Sequence, residues 1–208
     1  KKNFKKLFLI EKDNNLAHQL KLKYKKIKNI FIINDDALTF DYSIFKNIKE
    51  KVIIYGNLPF NISTSLLTKW ISDNEWPSFY NKMILMFQKE VADRILASHN
   101  NKKYGRLSVL VQSRCNVEKL LDAPASIFSP KPKVDGAVIQ LKPIDNFSKI
   151  NFNNLEKLLE QSFSSRRKKI KNTLKQHKQS LSKLDIDENL RPENLSVSNY
   201  CDLVKLIN

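Results

Sequence analysis

The chain reads Tyr55-Gly56-Asn57-Leu58-Pro59-Phe60-Asn61-Ile62-Ser63 where an apolar run meets a helical pattern. The apolar run, residues 52–55, predicts a buried strand. Apolar side chains that recur every three or four positions over residues 62–71 predict a helix. The stretch is therefore a tight loop between a strand and a helix. Ligands of open α/β sheets collect at the carboxyl ends of strands, so we expect a binding site in this loop.

The loop carries hydrogen-bond acceptors and a flat apolar ring. Pro59 fixes its own φ angle and pushes Leu58 toward an extended conformation, which directs the Leu58 carbonyl. Asn57 adds a side-chain carbonyl, and Phe60 adds an aromatic face. These groups suit a planar heterocycle with an exocyclic amine. Residues 57–60 include no ionisable side chain, so acid–base hydrolysis is not their chemistry.

The charge of the chain favours a polyanionic partner. The 208 residues carry a net charge of +16, which fits nucleic acid better than membrane because no long basic amphipathic anchor is evident. A lysine-rich composition with solvated faces is the alternative explanation of this total. The charge is unevenly distributed, however: residues 150–180 hold eight Lys and Arg against two Asp and Glu, whereas residues 181–208 are net acidic.

Other classes of protein are disfavoured. No apolar run reaches the length that spans a membrane. The three histidines are scattered, so we expect no metal site. Cys115 and Cys201 show no pairing pattern, which fits a reducing cytoplasm.

Strand and helix patterns alternate along the first part of the chain. Besides the strand before Asn57, short apolar runs predict strands at residues 7–10, 30–33 and 83–87, and alternation predicts one at residues 134–141. Helical spacing follows the first of these runs, and Asp13 is placed to cap that helix. The alternation predicts a parallel α/β sheet.

The pattern changes toward the carboxyl terminus. Residues 123–133 are rich in proline and predict a loop, and residues 143–149 are polar and typical of a turn. Beyond them the periodicity is helical only. We therefore predict one α/β domain over residues 1–145 and a small all-helical domain over residues 146–208.

Acidic side chains end two of the predicted strands. Glu11 ends the first strand and Asp36 follows the second. In nucleoside-binding α/β folds an acidic residue at a strand end accepts hydrogen bonds from ribose hydroxyls. Taken singly, each is more readily a helix cap or a solvated loop acid, but together with Asn57 they are expected to line one edge of the sheet.

The expected glycine-rich turn is missing. The chain contains only Gly56, Gly105 and Gly136, and none precedes Glu11, whereas such folds place a glycine-rich turn about 20 residues before the first acidic residue. Either the fold is of another type, or the chain begins after its first strand.

Many ordered segments of the sequence resemble the ribosomal RNA adenine dimethyltransferases, specifically the bacterial small-subunit (KsgA-type) branch. The resemblance covers nearly all of the 208 residues. The matching segments are residues 9–13 (Leu-Ile-Glu-Lys-Asp), 36–40 (Asp-Ala-Leu-Thr-Phe), 56–63, 88–91 (Gln-Lys-Glu-Val), 104–109 (Tyr-Gly-Arg-Leu-Ser-Val), 128–135 (Phe-Ser-Pro-Lys-Pro-Lys-Val-Asp), 163–168 (Phe-Ser-Ser-Arg-Arg-Lys) and 191–196 (Arg-Pro-Glu-Asn-Leu-Ser).

The resemblance implies a Rossmann-like class I methyltransferase domain followed by helices, with S-adenosylmethionine as methyl donor. Glu11 would hold the donor ribose, Asp36 its adenine amine, and Asn57 would lie between donor and target. The target would be the exocyclic amines of two adjacent adenosines near the 3′ end of small-subunit RNA. Because the target base must leave its stack, Phe60 and Phe128 would sandwich it.

The chain departs from the family pattern in two places. Phe60 stands where the family usually has tyrosine. The family's first strand and glycine-rich loop are missing, so the chain resembles an N-terminally truncated member. Residues 1–208 alone are therefore expected to bind the donor weakly or not at all and to be prone to aggregation.

A basic run is the expected RNA contact. Residues 166–171, Arg-Arg-Lys-Lys-Ile-Lys, are predicted to lie on a helix whose cations, Arg166, Arg167, Lys168, Lys169 and Lys171, reach phosphates. The alternative for this run is a solvated helix face. The expected partner is small-subunit RNA or its precursor particle, bound by a monomer in the cytoplasm without membrane or metal.

Two other functions remain open at this point. One is an RNA-binding ribosome assembly factor that does not methylate. The other is a large-subunit RNA methyltransferase of the macrolide-resistance kind, or a relative of mitochondrial transcription factors. The basic run and residues 191–196 resemble the small-subunit branch more.

Overall fold

A computed structural model of the chain describes residues 4–72, 76–147 and 149–207. Contacts divide the chain into two compact units, residues 1–45 and 46–208. The first unit contains β1 (Leu7–Glu11), α1 (Asn14–Tyr24) and β2 (Ile30–Asn34). The second contains β3 (Ile53–Asn57), α2 (Phe60–Ile71), β4 (Lys82–Gln88), α3 (Lys89–Leu96), α4 (Arg106–Gln112), β5 (Cys115–Ala123), β6 (Gly136–Pro143), α5 (Phe152–Phe163), α6 (Ile170–Thr173), α7 (Lys178–Lys183) and α8 (Val197–Ile207).

The first unit is a parallel strand pair with a helix between its strands. β1 and β2 pair in register, so that Glu11 lies opposite Asn34. The predicted cap of α1 is confirmed, because the Asp13 side chain accepts a hydrogen bond from the backbone N–H of Leu16 over 2.8 Å.

The second unit is built on a four-stranded sheet of order β3-β4-β6-β5. β3 and β4 are parallel, as predicted, whereas β6 runs antiparallel to both of its neighbours. The sheet is therefore mixed, and a wholly parallel sheet is wrong for its later strands. β5 was not predicted from the sequence at all.

The core of the second unit follows from the two periodicities. On β4, Met83, Leu85 and Phe87 alternate with less buried residues and are fully buried. On α2, Leu66 and Leu67 are fully buried at helical spacing. Burying these side chains fixes α2, which follows the β3–α2 loop, and β4, which pairs with β3.

The carboxyl-terminal segment is helical, as predicted. α5 packs against α4 and α8. A buried polar pair joins two of these helices: the hydroxyls of Ser162 and Tyr200 are 2.9 Å apart, and the Tyr200 hydroxyl donates to the Pro192 carbonyl over 2.9 Å. The predicted domain boundary after residue 145 stays a prediction.

One buried cation connects the sheet to α5. Arg114, just before β5, has only 1% of its surface exposed. Its guanidinium lies 4.9 Å from the ring centroid of Trp76 and 5.3 Å from that of Phe152. Stacking of a guanidinium between two rings stabilises the contact of the helical segment with the sheet.

No helix in the described part of the chain is both long and apolar enough to cross a membrane.

Candidate active site

Two loops leave the second unit at the same edge of its sheet. Asn57 ends β3 opposite Met86, near the end of β4. Gln88 ends β4 opposite Gly136, where β6 begins, and Gly136 also lies opposite Ala123, where β5 ends. The β3–α2 loop and the β5–β6 loop therefore share one edge, and the predicted residues 57–60 and Phe128 belong to these two loops.

The side-chain amide of Asn57 lies at this edge of the sheet. Its side chain is exposed and forms no hydrogen bond with any residue that the structure describes. Pro59 has φ −55° and ψ 130° and caps α2, and its carbonyl accepts the Ile62 N–H over 3.1 Å. The fixed Pro59 backbone places half-buried Leu58 directly between the strand end and the helix.

Gly56 permits the close packing of the loop on the strand. A β-carbon at this position would lie 2.7 Å from Cδ2 of Leu58 and 3.0 Å from Cδ2 of Leu85. The residue before Asn57 is therefore a glycine because Leu58 folds back over it, and a larger side chain would push Leu58 away.

Two aromatic rings, Phe60 and Phe128, lie at this edge of the sheet. Phe60 begins α2 and Phe128 follows a short 3₁₀ turn in the β5–β6 loop; both are half-buried. Neither ring contacts another aromatic ring among the described residues. A partly exposed, unstacked ring is suited to stacking on a planar base.

Asp135 holds the β5–β6 loop in shape. Its Oδ1 accepts the backbone N–H of Ala125 over 2.8 Å, across the base of the loop. Its carbonyl accepts the backbone N–H of Lys89, the first residue of α3, over 2.9 Å. The loop that carries Phe128 is thereby fixed to the end of β4.

A cluster of three charged side chains beside this loop was not identified from the sequence. Nζ of Lys89 lies 3.0 Å from Oδ1 of Asp122, near the end of β5, and Lys119 lies 3.0 Å from Oδ2 of the same carboxylate. Hydrogen bonds from Lys89 and Lys119 hold the pKa of Asp122 below its ordinary value. The contact of Lys89 with Asp122 joins residues 33 positions apart through the antiparallel pairing of β5, so no local sequence pattern indicated it.

The two predicted donor-binding carboxylates lie in the first unit. Glu11 ends β1, and its Oε1 accepts the backbone N–H of Asp13 over 2.8 Å. Asp36 follows β2, and its Oδ1 accepts the N–H of Leu38 over 2.9 Å while its Oδ2 pairs with Lys12 over 2.7 Å.

Glu11 has hydrogen-bonding capacity that suits the ribose hydroxyls of S-adenosylmethionine, and the donor-binding roles of Glu11 and Asp36 stay predictions. Each is held by a backbone N–H at the carboxyl edge of a parallel strand pair, and the second oxygen of Glu11 has no hydrogen-bond partner within the described residues. A fixed carboxylate with an unused oxygen accepts hydrogen bonds from vicinal hydroxyls. The expectation that Glu11 and Asp36 share one edge with Asn57 stays a prediction.

No cluster of three or more His, Cys, Asp or Glu side chains that could hold a metal ion occurs within the described ranges.

The basic run does not lie on one helix, so that prediction is wrong. α5 ends at Phe163, residues 164–167 form turns, and α6 begins only at Ile170. The N–H groups of Ile170 and Lys171 donate to the carbonyls of Leu190 and Glu188 over 2.8 and 3.0 Å, so the start of α6 is fixed by a distant segment instead of continuing α5.

The five predicted RNA-binding cations have different surroundings. Nη2 of Arg166 donates to the carbonyls of Lys102 and Tyr104 over 2.7 and 2.8 Å. Lys169 and Lys171 both donate to the neutral Oδ1 of Asn189, over 3.3 and 3.0 Å. The exposed side chains of Arg167 and Lys168 form no hydrogen bond or ion pair with the described residues.

Comparison with known proteins assigns the chain to a family. The sequence model of a family described as "Ribosomal RNA adenine dimethylase" matches residues 1–208. A protein of Pelagibacter ubique named "Ribosomal RNA small subunit methyltransferase A" is 44% identical over 99% of this chain and 79% of its own length. A protein of Ehrlichia ruminantium with the same name is 45% identical, with 100% and 79% covered.

Two solved structures share the fold. A dimethyladenosine transferase from Plasmodium falciparum is similar with a TM-score of 0.84 at 26% identity, over 98% of this chain and 82% of that one. The 23S rRNA methyltransferase ErmE matches with a TM-score of 0.64 at 21% identity, over 96% and 81%, and supports the fold alone. The predicted Rossmann-like methyltransferase fold with carboxyl-terminal helices is confirmed.

The family sequence model spans all 208 residues, and relatives at 44% and 45% identity cover nearly the whole chain. The chain therefore belongs to the ribosomal RNA adenine dimethylases, methyltransferases that use S-adenosylmethionine as methyl donor.

Proposed function

We propose that this protein dimethylates the exocyclic amines of two adjacent adenosines near the 3′ end of small-subunit ribosomal RNA during ribosome assembly. The names of the relatives at 44% and 45% identity support the small subunit as substrate. The observation that carries the proposal within the chain is the free amide of Asn57 at a sheet edge shared with the loop of Phe128.

Asn57 and Leu58 act on the target amine. The amine is a poor nucleophile because its lone pair is delocalised into the adenine ring. Carbonyl acceptors from Asn57 and Leu58, aimed at both amine hydrogens, favour a pyramidal nitrogen with a freer lone pair. No strong base is required, because the nitrogen becomes acidic as it gains a methyl group. This agrees with the absence of ionisable side chains from residues 57–60.

Phe60 and Phe128 hold the flipped base between their faces. Both rings are half-buried, and both leave the same edge of the sheet as Asn57. Stacking offsets part of the free energy that is lost when the base leaves the RNA stack. Pro59 keeps the Leu58 carbonyl and the Phe60 ring in fixed relative directions.

Glu11 and Asp36 bind the methyl donor. Glu11 accepts from the ribose hydroxyls with its unused oxygen, and Asp36 accepts from the adenine amine. S-adenosylmethionine supplies a methyl group that is already activated on a sulfonium, so alignment of the two reactants provides most of the acceleration.

Arg167, Lys168, Lys169 and Lys171 bind RNA phosphates. All four are exposed, and none forms an ion pair with a carboxylate in the described part of the chain. Their contribution is independent of base sequence and screened by salt. The protein works as a monomer in the cytoplasm, without a metal ion.

Methyl incorporation from labelled S-adenosylmethionine tests the proposal. The whole protein is incubated in parallel with unmodified small-subunit particles and with unmodified large-subunit RNA. Label in small-subunit RNA alone supports the proposal. Label in large-subunit RNA alone supports the macrolide-resistance type of activity, and tight binding to small subunits without label supports a non-catalytic assembly factor.

A further inference from the structure

Arg166 connects three segments that are far apart in sequence. Its Nη2 donates to the carbonyls of Lys102 and Tyr104 in the α3–α4 loop, and the same nitrogen lies 3.5 Å from a carboxylate oxygen of Glu193. The loop is also bonded to the Glu193 segment directly, because the N–H of Asn100 donates to the Glu193 carbonyl over 2.7 Å. The turn after α5 and the α3–α4 loop are thus fixed side by side.

The cations of these segments fall into two groups. Lys103, Arg106 and Arg166 are paired with Asp93, Glu160 and Glu193, at 2.7, 3.2 and 3.5 Å respectively. Lys102, Arg167 and Lys168 are exposed and form no side-chain hydrogen bond or ion pair with the described residues.

The unpaired cations are brought together by Arg166. Lys102 is the residue whose carbonyl accepts from Arg166, and Arg167 and Lys168 follow Arg166 directly in the chain. Three cations without a paired carboxylate in the described part of the chain therefore belong to residues that contact Arg166 through the backbone or directly follow it. Such a cluster is costly unless an anionic partner neutralises it, and an RNA backbone presents closely spaced phosphates.

We propose that Lys102 in the α3–α4 loop is an RNA phosphate contact, and that Arg166 positions it beside Arg167 and Lys168. The inference rests on the proposed function, because it takes the substrate to be RNA. Arg166 itself is a positioning residue: its Nη2 is engaged by backbone carbonyls, so its role is to make one cationic surface from two separate segments.

The first test is the salt dependence of binding to a transcript of the small-subunit RNA 3′ end. Lys102→Gln should lower the slope of log affinity against log salt by about 0.7–0.9, the value for one phosphate contact. Lys103→Gln removes the same charge from the next residue and is the matched control. Because Lys103 is paired with Asp93, the Lys103→Gln variant should have the same slope as the unaltered protein.

The second test separates positioning from direct contact at Arg166. Arg166→Lys keeps the charge, but its shorter side chain does not reach the position of Nη2. Positioning therefore predicts that the slope falls as far as in Arg166→Gln, by more than the loss of one phosphate contact. Direct contact predicts that Arg166→Lys keeps the full slope, since an ammonium also binds phosphate. That result would overturn the positioning role.

The inference and the proposed function fail separately. An unchanged slope in Lys102→Gln, with normal methyl transfer to small subunits, overturns the inference and leaves the function standing. Because the Lys102 side chain is exposed and unpaired, its substitution leaves the fold intact, and equal thermal midpoints of the Lys102 and Lys103 variants verify this.

Discussion

The backbone N–H of Lys89 donates to the carbonyl of Asp135 over 2.9 Å and thereby fixes the loop of Phe128 to the strand that neighbours Asn57. Oδ1 of Asp135 closes the same loop through the N–H of Ala125. The backbone and side chain of Asp135 thus hold Lys89 and Ala125, which are distant in sequence, at one edge of the sheet.

Asp135→Ala should loosen this loop and leave the rest of the fold intact. Loss of a charge-assisted hydrogen bond costs about 1.5–3 kcal/mol locally, so we expect methyl transfer to fall while the thermal midpoint changes little. Asp135→Asn keeps a carbonyl acceptor for Ala125 and should be milder. Equal rates for the two variants would show that the side-chain bond does not matter.

Asn57→Ala should abolish methyl transfer and leave the fold intact. The side chain is exposed and forms no hydrogen bond in the described structure, so its loss costs little stability. Loss of one preorganised polar group should raise the barrier by about 2–4 kcal/mol. Asn116→Ala, an exposed asparagine at the opposite edge of the sheet, is the control and should retain its turnover. Near-normal turnover by the Asn57 variant would contradict the mechanism.

The ring of Phe60 should matter more than its volume. Phe60→Tyr keeps the aromatic face and should change turnover little, whereas Phe60→Leu keeps most of the volume and loses the face. Stacking of a base on an aromatic ring is worth about 1–3 kcal/mol, so kcat/KM of the leucine variant should fall about 5- to 150-fold. Turnover of the leucine variant equal to that of the tyrosine variant would mean that the ring is only a packing residue. The same series applies to Phe128.

Gly56→Ala should act through Leu58. The added β-carbon would lie 2.7 Å from Cδ2 of Leu58, and overpacking of this kind costs about 1–3 kcal/mol. In a Leu58→Ala background the main clash is gone, so the cost of Gly56→Ala should shrink, with the remainder coming from Leu85. Free energies of unfolding from denaturant titrations give the coupling. Additive costs would show that Leu58 does not pack over the glycine.

The two thiols should make the protein less stable in alkali. Burial raises the pKa of Cys115 and of Cys201 to about 12, whereas a thiol in the unfolded chain ionises near about 8.5. The folded state therefore binds more protons above that pH, and the free energy of unfolding falls as pH rises, by up to about 1.4 kcal/mol per pH unit for each thiol. The stabilisation is complete below pH of about 8.5.

The quantity to measure is the slope of the free energy of unfolding against pH between pH 9 and 10. At higher pH the buried tyrosines also begin to contribute to this slope. The double variant Cys115→Ala, Cys201→Ala should have a smaller slope, whatever its absolute stability. Parallel slopes for the two proteins would contradict the effect of burial on these thiols.

Most strands were predictable because their apolar runs are short and bounded by polar residues. β5 was not, for a physical reason. Its residues are mostly exposed, it carries Glu118 and Lys119 among its apolar side chains, and an irregularity between Lys119 and Leu121 shifts its alternation. A strand at the edge of a sheet buries little, so its sequence carries no clear period.

The candidate site could be proposed from the sequence where it is local, but not where it depends on long-range contacts. Asn57, Pro59 and Phe60 lie within four consecutive residues, so a single stretch of sequence indicates all three. The bond of Arg166 to the carbonyl of Lys102 joins residues 64 positions apart through a backbone atom, and no side-chain pattern records it. The same holds for the turn at residues 164–167, which interrupts a basic run that otherwise fits a helix.

The most direct test of the account is nucleoside analysis of small-subunit RNA after incubation of unmodified particles with the whole protein and S-adenosylmethionine. We predict two adjacent N6,N6-dimethyladenosines near the 3′ end, and none with the Asn57→Ala variant. Methyl groups on another nucleotide or on a ring atom of adenine instead of its exocyclic amine, or unchanged dimethylation by the Asn57 variant, would contradict the assignment of this sheet edge as the active site.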